Sequence, residues 1–349
     1  MRAAVLRAGR VVVRDDAPEP VPGSGQVLVA VKACGICGSD LHFVRHGARM
    51  IDLQRRIEGL PALSVAEEVD LGRDVYMGHE FAAEVLEVGP DTETPVKPGA
   101  LVTSIPVLIG GDGVRPIVYS NTVHGGYGER MLLSAPLLLA VPNGLDARRA
   151  ALTEPMAVGL HAVNRARMQP GEGAVVLGCG PVGLAVIAAL RAAGAEPVVA
   201  ADLSPARRTL AGRMGAHVVV DPREETAWEA WARSGRGRSP VVFEAIGVPG
   251  VIDDILRAAP AGSRVVVVGV CMEPDAINPY YAVAKELALQ FVLGYDLAEF
   301  AASLRAIAEG TVDVEPMITA TVGLDAVPWA FEALARPDEH VKIVVEPHG

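Results

Sequence analysis

The donor types of a metal site stand together in the first quarter of the chain. Cys37 lies in Ala-Cys-Gly-Ile-Cys-Gly-Ser-Asp-Leu-His, residues 33 to 42, and His79 and Glu80 lie in Gly78-His79-Glu80-Phe81. A thiolate, an imidazole and a carboxylate suit a tetrahedral zinc ion with one position left for water or substrate. Cys34 and Cys37 also form a Cys-x-x-Cys pair, a spacing shared by redox motifs and structural zinc knuckles. A knuckle needs a second pair, and Cys179 and Cys271 lie in a region of different texture. A thioredoxin-like motif needs a βαβ setting, whereas this pair follows an isolated apolar run. Cys37 is therefore the expected ligand, and Cys34 a small buried residue.

A second chemical feature follows. Gly178-Cys179-Gly180-Pro181-Val182-Gly183 has the Gly-x-Gly-x-x-Gly spacing of a dinucleotide turn. Alone the pattern is weak. Here it follows the apolar run Ala174 to Leu177 and opens a helical pattern, Val182 to Ala193. Asp202 ends the next apolar run, 19 residues past Gly183. The complete strand, turn, helix, strand and acid carry the inference. The glycines let backbone approach a pyrophosphate and let the helix pack close to its strand. The helix start, at Pro181 and Val182, offers unpaired N–H groups to phosphate oxygens. Asp202 is expected to accept from the adenosine ribose hydroxyls and to repel a 2′-phosphate, which favours NAD over NADP. Arg207 and Arg208 complicate that preference, since one of them could pair with a phosphate; both are expected on the following helix, where Arg207 reaches the ribose edge.

The elements that must position these residues divide the chain in two. Up to about residue 150, short apolar runs such as Gln26 to Val31, Ala83 to Val88 and Leu101 to Thr103 alternate with Pro-Gly and Gly-Pro turns. They describe a β-rich domain with few helices. Beyond residue 154, strands and helices alternate, with Val158 to Arg167 and Pro205 to Met214 as further helices. Pro197 to Ala201, His217 to Val220, Val241 to Ala245 and Arg264 to Gly269 are further strands, and Gly269 is placed with the cofactor residues. That alternation predicts a parallel sheet covered on both faces. A helix over Leu297 to Ala308 and a strand over Val341 to Val345 are expected to return to the first domain.

The 349 residues, half of them apolar, can bury two sizeable cores, and the net charge of −11 argues against nucleic acid or an anionic membrane as a main partner. No apolar run is long enough to span a bilayer, and the N-terminal run reads as a first strand rather than a leader. The four scattered cysteines give no disulfide framework, so a reducing cytoplasm is expected.

The motifs Cys37-Gly38-Ser39-Asp40-Leu41-His42, Gly78-His79-Glu80, Gly125-Gly126-Tyr127, Glu154-Pro155 and the glycine turn, in that order, resemble the zinc-dependent medium-chain alcohol dehydrogenase family. Within it, Cys-Gly-Ser-Asp-x-His and Glu-Pro-x-x-x-Gly-x-His resemble the sorbitol, polyol and threonine dehydrogenase branch. The resemblance covers nearly the whole chain. It implies an α/β two-domain fold: a GroES-like catalytic domain over 1–154, a Rossmann domain over 155–294, a doubly wound parallel sheet, and a return to the catalytic domain over 295–349. It implies zinc-dependent, NAD-linked oxidation of an alcohol, expected to be secondary, with a homodimer or homotetramer joined through the edge near Leu287 to Leu293. Cys37 and His79 match metal ligands. For the third ligand Glu80 and Glu154 remain open, and where Glu80 is the ligand the Glu154 position holds the water on the metal. Asp40 is expected to orient His79 through its second ring nitrogen. Ser39 is expected to take the alcohol proton and His42 to pass it to solvent. His46, His124 and His161 are expected to be structural, and Cys271 is a candidate lining of the nicotinamide pocket. A zinc-free quinone or enoyl reductase of the same superfamily, or a non-catalytic NAD-binding module, is the competing expectation.

Three departures from the family stand out. Residues 102 to 124 lack the four cysteines of a structural zinc lobe, so one zinc per chain is expected. Cys37 and His79 are 42 residues apart, with an insertion between Val44 and Met77 in which Met50, Ile51, Leu53, Ile57 and Leu60 have helical spacing. Arg45, Arg49, Arg55 and Arg56 make that insertion basic. Finally, Gly294 precedes Tyr295 where polyol members carry an arginine, which weighs against a sugar-alcohol substrate.

Overall fold

The computed structural model describes residues 1–58, 69–111, 113–234, 237–336 and 338–349. The front of the chain carries β1 (Ala3–Arg7), β2 (Arg10–Arg14), β3 (Gln26–Gly35), helix α1 (Gly38–Arg56), β4 (Val75–Tyr76) and β5 (Glu80–Val88). Next come β6 (Leu101–Ser104), β7 (Val107–Gly110), β8 (Gly113–Pro116), β9 (Arg130–Ser134) and β10 (Leu138–Ala140). Helices α2 (Ala147–Ala151) and α3 (Thr153–Ala166) lead into the second part.

There β11 (Ala174–Leu177), α4 (Pro181–Ala192), β12 (Val198–Ala201), α5 (Pro205–Arg213), β13 (Val218–Val220) and α6 (Ala227–Arg233) alternate. The pattern continues with β14 (Val241–Glu244), α7 (Val251–Ala258), β15 (Arg264–Val267), α8 (Pro279–Lys285) and β16 (Ala288–Phe291). The chain ends with α9 (Leu297–Ala308), β17 (Ile318–Val322), α10 (Val327–Leu334) and β18 (Lys342–Val345).

The second part forms a six-stranded sheet in the order β13-β12-β11-β14-β15-β16, with every pair parallel. This is the doubly wound dinucleotide order, and its crevice opens where the order reverses, between β11 and β14. Apart from Glu244 at the end of β14, these two strands are apolar and almost wholly buried, as a sheet covered on both faces requires. The front of the chain folds around a seven-stranded mixed sheet in the order β10-β6-β5-β3-β18-β17, with β9 also paired to β3. β1, β2 and β4 form a separate three-stranded sheet.

The last strand matters most for the site. β18 runs antiparallel to β3 and sets Val345 against Cys34 and Val344 against Gly35. β5 flanks β3 on its other side and sets Glu80 against Gly35 and Phe81 against Cys34. Three distant segments thus meet at the end of β3 that leads into Cys37. Where α3 crosses α4, a Cβ on Gly159 would lie 2.4 Å from the Ala185 carbonyl carbon, so only glycine lets these helices approach.

Two elements begin earlier than their sequence periodicity suggests. α3 starts at Thr153 rather than Val158, which puts Glu154 and Pro155 in its first turn. Proline is well tolerated there because a first-turn N–H has no intrahelical partner. The helix expected around Met50 is part of α1, which starts at Gly38 and bends at His46, where φ is −130°. The periodicity beyond Arg56 did not extend the helix; Ile57 and Glu58 are outside it, and Leu60 lies outside the described residues. No helix among the described residues is long and apolar enough to cross a membrane.

Candidate metal and dinucleotide site

The end of β3 delivers Cys37 to the N-terminus of α1. Asp40 reaches back, and its Oδ2 accepts from the Cys37 N–H at 3.2 Å. Tyr127 donates to the same oxygen at 2.6 Å. The other oxygen, Oδ1, faces His79 Nδ1 at 3.6 Å, and both atoms are buried. That leaves the second ring nitrogen of His79 to face the cluster. Ligand atoms of Cys37, His79 and Glu80 all lie within 4.8 Å of one another. Burial would lower the His79 pKa, yet the Asp40 carboxylate and Cys37 outweigh it and hold it well above the usual histidine value. A basic imidazole backed by a carboxylate is a strong metal donor.

The backbone around the cluster is packed to glycine tolerance. A Cβ on Gly35 would lie 2.1 Å from Glu80 Oε2. Gly78 has φ +101°, and Gly126 donates its N–H to the Gly78 carbonyl at 2.7 Å. A Cβ on Gly126 would lie 2.5 Å from Cys34 Sγ. The Gly125-Gly126-Tyr127 motif therefore clamps the strand that carries His79 and delivers the Tyr127 hydroxyl to Asp40. Cys34 is fully buried, and burial raises its thiol pKa well above the usual value. It is a packing residue, as its small size suggests.

Glu154 stands outside the three-residue group. Burial raises its pKa to about 7, with the Glu80 charge acting in the same direction and His79 opposing both. The Tyr295 hydroxyl faces it. Ser39 and His42 lie in the first turns of α1, three residues apart and so on one face. Burial lowers the His42 pKa, and the neighbouring His46 and Arg45 lower it further.

The dinucleotide residues meet at the crevice. Gly178 has φ +91°, and a Cβ on Gly183 would lie 1.9 Å from the Gly178 carbonyl oxygen. A Cβ on Gly180 would find Arg207 Nη1 at 3.8 Å as its neighbour, so the guanidinium lies over the turn where a pyrophosphate would pass. Pro181 and Val182 open α4. Asp202 Oδ2 accepts from the Cys179 N–H at 2.7 Å and Oδ1 from the Ser204 N–H at 2.8 Å. Each oxygen keeps a lone pair for a ribose hydroxyl. Farther along the strand ends, Gly269, Gly247, Cys271 and Phe291 line a cavity of about 250 Å³. The Glu244 carboxylate shapes it by accepting from the Ile246 and Gly247 N–H groups at 2.6 and 2.8 Å.

Residues 23–143 match the alcohol dehydrogenase GroES-like domain, and residues 181–309 match the zinc-binding dehydrogenase domain. The chain is 34% identical to (R,R)-butanediol dehydrogenase of Bacillus subtilis (strain 168), over 100% of both chains. The chain belongs to the zinc-dependent medium-chain alcohol dehydrogenase family. It is 28% identical to sorbitol dehydrogenase of the same organism, over 100% of this chain and 98% of that one. The crystal structure of 2R,3R-butanediol dehydrogenase from Bacillus subtilis superposes with a TM-score of 0.82 at 31% identity, covering 99% of each chain.

As a member of this family the protein is an oxidoreductase that exchanges a hydride between an alcohol carbon and a nicotinamide cofactor, with zinc as its metal. The donor set of sulfur, imidazole nitrogen and carboxylate fits that metal. One important residue escapes the motif search. Lys342 places Nζ 2.7 Å from both Glu80 oxygens and 3.0 Å from the Ile36 carbonyl, fully buried. Burial would strip its proton, but Glu80 and Cys37 outweigh burial and raise its pKa. Its one trace in the sequence is a lone charge inside the apolar run Val341 to Val345.

Proposed function

We propose that this dehydrogenase oxidises a secondary alcohol to a ketone, reversibly, with NAD as hydride acceptor and a single zinc held by Cys37, His79 and Glu80. The close grouping of those three side chains carries the proposal. Zinc, when bound, supplies Lewis acidity toward the alcohol oxygen, and the nicotinamide takes the hydride. Asp40 faces the His79 ring from 3.6 Å and would orient it toward the metal, and the Tyr127 hydroxyl holds Asp40. Lys342 balances the Glu80 charge and sets the direction of its carboxylate. Ser39 takes the alcohol proton, and His42 passes it to water at the cleft mouth. A depressed His42 pKa keeps the imidazole neutral and ready to accept near neutral pH. Glu154 holds the alcohol, or the water it replaces, from the opposite wall.

The preference for NAD rests on what surrounds Asp202. Of the neighbouring arginines, Arg208 is held by Asp221 at 3.0 Å and by the Asp202 and Leu203 carbonyls at 2.9 and 2.8 Å. Arg223 is held by Asp221 as well. These cations serve the fold, and a 2′-phosphate would meet the Asp202 carboxylate. Arg207, with a buried Nε that has no partner, is left to contact the cofactor.

We assign the domains to 1–154, 155–294 and 295–349, with the cleft between them. The free cysteines fit a reducing cytoplasm. Two copies pair through β16, an edge strand of the parallel sheet flanked by exposed Phe291 and Leu293, with α8 burying no residue of its own.

Oxidation of a panel of secondary alcohols, followed by NADH absorbance, tests the function. Turnover should favour NAD over NADP by about tenfold or more. Cys37→Ser should lose both zinc, by elemental analysis, and turnover. A fully active, zinc-replete Cys37→Ser enzyme would refute the site.

A further inference from the structure

Glu244 puts a buried carboxylate at the end of a strand that is otherwise apolar. Its two side-chain hydrogen bonds, from the Ile246 and Gly247 N–H groups, both go to Oε1. Its own carbonyl accepts from the Val268 and Gly269 N–H groups, each at 2.9 Å. One residue thus grips the turn after β14 with its side chain and the turn after β15 with its backbone. The two turns touch where neither has a side chain. A Cβ on Gly247 would lie 2.8 Å from the Val270 nitrogen, and a Cβ on Gly269 would lie 2.5 Å from the Gly247 nitrogen and 2.7 Å from Glu244 Oε2. The turn after β14 also lies against the dinucleotide turn, because a Cβ on Gly178 would lie 2.8 Å from the Ala245 carbonyl oxygen. Burying a carboxylate is costly, and a strand end that needed only packing would carry an apolar residue. Along these turns Ile246, Val248 and Val270 are 46, 48 and 50% exposed. Such bare apolar side chains along a crevice mark a surface that a ligand covers.

We propose that Glu244 is a positioning residue for hydride transfer: by holding the turn after β14 against the turn after β15, it fixes the wall on which the nicotinamide half of the cofactor rests. Asp202, after β12, claims the adenosine half, and the pyrophosphate passes the glycine turn after β11. That leaves the turn after β15 to the nicotinamide half. Glu244 touches no reacting atom and acts only through the two turns. Hydride transfer needs the reacting atoms about 3–3.5 Å apart, and a displacement of about 1 Å costs on the order of 100-fold in rate. What the geometry demands of residue 244 is reach. Its acceptor oxygen must meet N–H groups two and three residues farther along the chain. A glutamine has that reach without the charge, whereas an aspartate has the charge and falls one methylene short.

The test compares Glu244→Asp and Glu244→Gln with wild type, using whichever reduced nicotinamide cofactor the wild type binds better, so that it stands apart from the NAD preference proposed above. In the cofactor-free protein, Glu244→Asp should speed hydrogen exchange at the Ile246 and Gly247 amides by about tenfold. The same variant should weaken cofactor binding, read by nicotinamide fluorescence, by about tenfold and lower kcat by a similar factor. Its primary isotope effect on kcat, with the alcohol deuterated at the reacting carbon, should rise because hydride transfer becomes the slow step, while zinc content stays unchanged. Glu244→Gln should stay within about threefold of wild type in binding and kcat, since its amide oxygen still accepts from both N–H groups. Gly247→Ala supplies a second route should Glu244→Asp not fold: its methyl would press on the Val270 nitrogen and move the same turns with the carboxylate intact. It should weaken cofactor binding and raise the isotope effect in the same way. Faster amide exchange in Glu244→Asp with wild-type cofactor affinity and isotope effect would show that Glu244 only braces the fold, and would overturn the inference. A Glu244→Gln enzyme as impaired as Glu244→Asp would overturn it too, because charge and not reach would then matter. Wild-type binding and turnover in Gly247→Ala would overturn it on their own.

Discussion

Lys342 lies across both oxygens of Glu80, and neither side chain touches solvent. Two opposite charges can share a dry place only while each faces the other, so each is strongly destabilising alone. Replacing the lysine by methionine is expected to cost about 3–5 kcal/mol of stability in the metal-free protein, read as a drop in the denaturant midpoint. Adding Glu80→Gln should restore part of that loss, because the orphaned charge is then gone. A Lys342→Met protein as stable as wild type would show that the pair contributes nothing. A metal held by Glu80 would share its oxygens with this ammonium, which lies 2.7 Å from both. Glu154, whose pKa burial raises to about 7, is the alternative carboxylate for the third position.

At the scale of elements, α3 and α9 are tied by a polar knot. His161 Nδ1 meets Glu299 Oε2 at 2.7 Å, and Asn164 donates to Oε1 at 2.8 Å. Glu299 also accepts from the Asp296 N–H at 2.9 Å, which caps α9. Burial alone would raise the Glu299 pKa, but Asn164, the Asp296 N–H and His161 outweigh it and hold the carboxyl below the usual range. A carboxylate with a depressed pKa contributes stability that is complete above the ordinary value of 4.5 and fades as pH falls through the lower folded value. Glu299→Gln should therefore cost about 1–2 kcal/mol near neutral pH, and the gap to wild type should close in acid. Denaturation midpoints across that range measure it; a gap that persists in strong acid would refute the assignment. His161, expected from the sequence to be structural, serves here as a tie between helices.

For the whole molecule, the parallel sheet ends at β16, which among the described residues pairs only with β15. Leu293 is 85% exposed and Phe291 is 64% exposed in the single chain, and α8 adds exposed Tyr280 and Val283. The proposed pairing of two copies would cover this exposed apolar edge. Under that pairing, Leu293→Glu would bring like charges together across a two-fold axis and should raise the dimer dissociation constant by about tenfold or more, read by analytical ultracentrifugation. An unchanged sedimentation profile would place the subunit contact elsewhere.

The linear sequence carried the parts of this protein whose constraint is local. Gly178, Gly180 and Gly183 stand between an apolar run and a helical pattern, with Asp202 at the end of the next run, and that whole unit makes a dinucleotide turn legible in the sequence. Cys37, His79 and Glu80 are legible because few other needs place a thiolate, an imidazole and a carboxylate in such settings. Tertiary structure decided the rest, because those facts belong to segments far apart in the chain. Only the antiparallel pairing of β18 with β3 brings Lys342 onto Glu80. Only the fold brings the Tyr127 hydroxyl onto Asp40, to which it donates at 2.6 Å. Sequence spacing reports what one strand or helix can do along its own length, whereas the balance of buried charges and donors depends on which elements the folded chain makes neighbours.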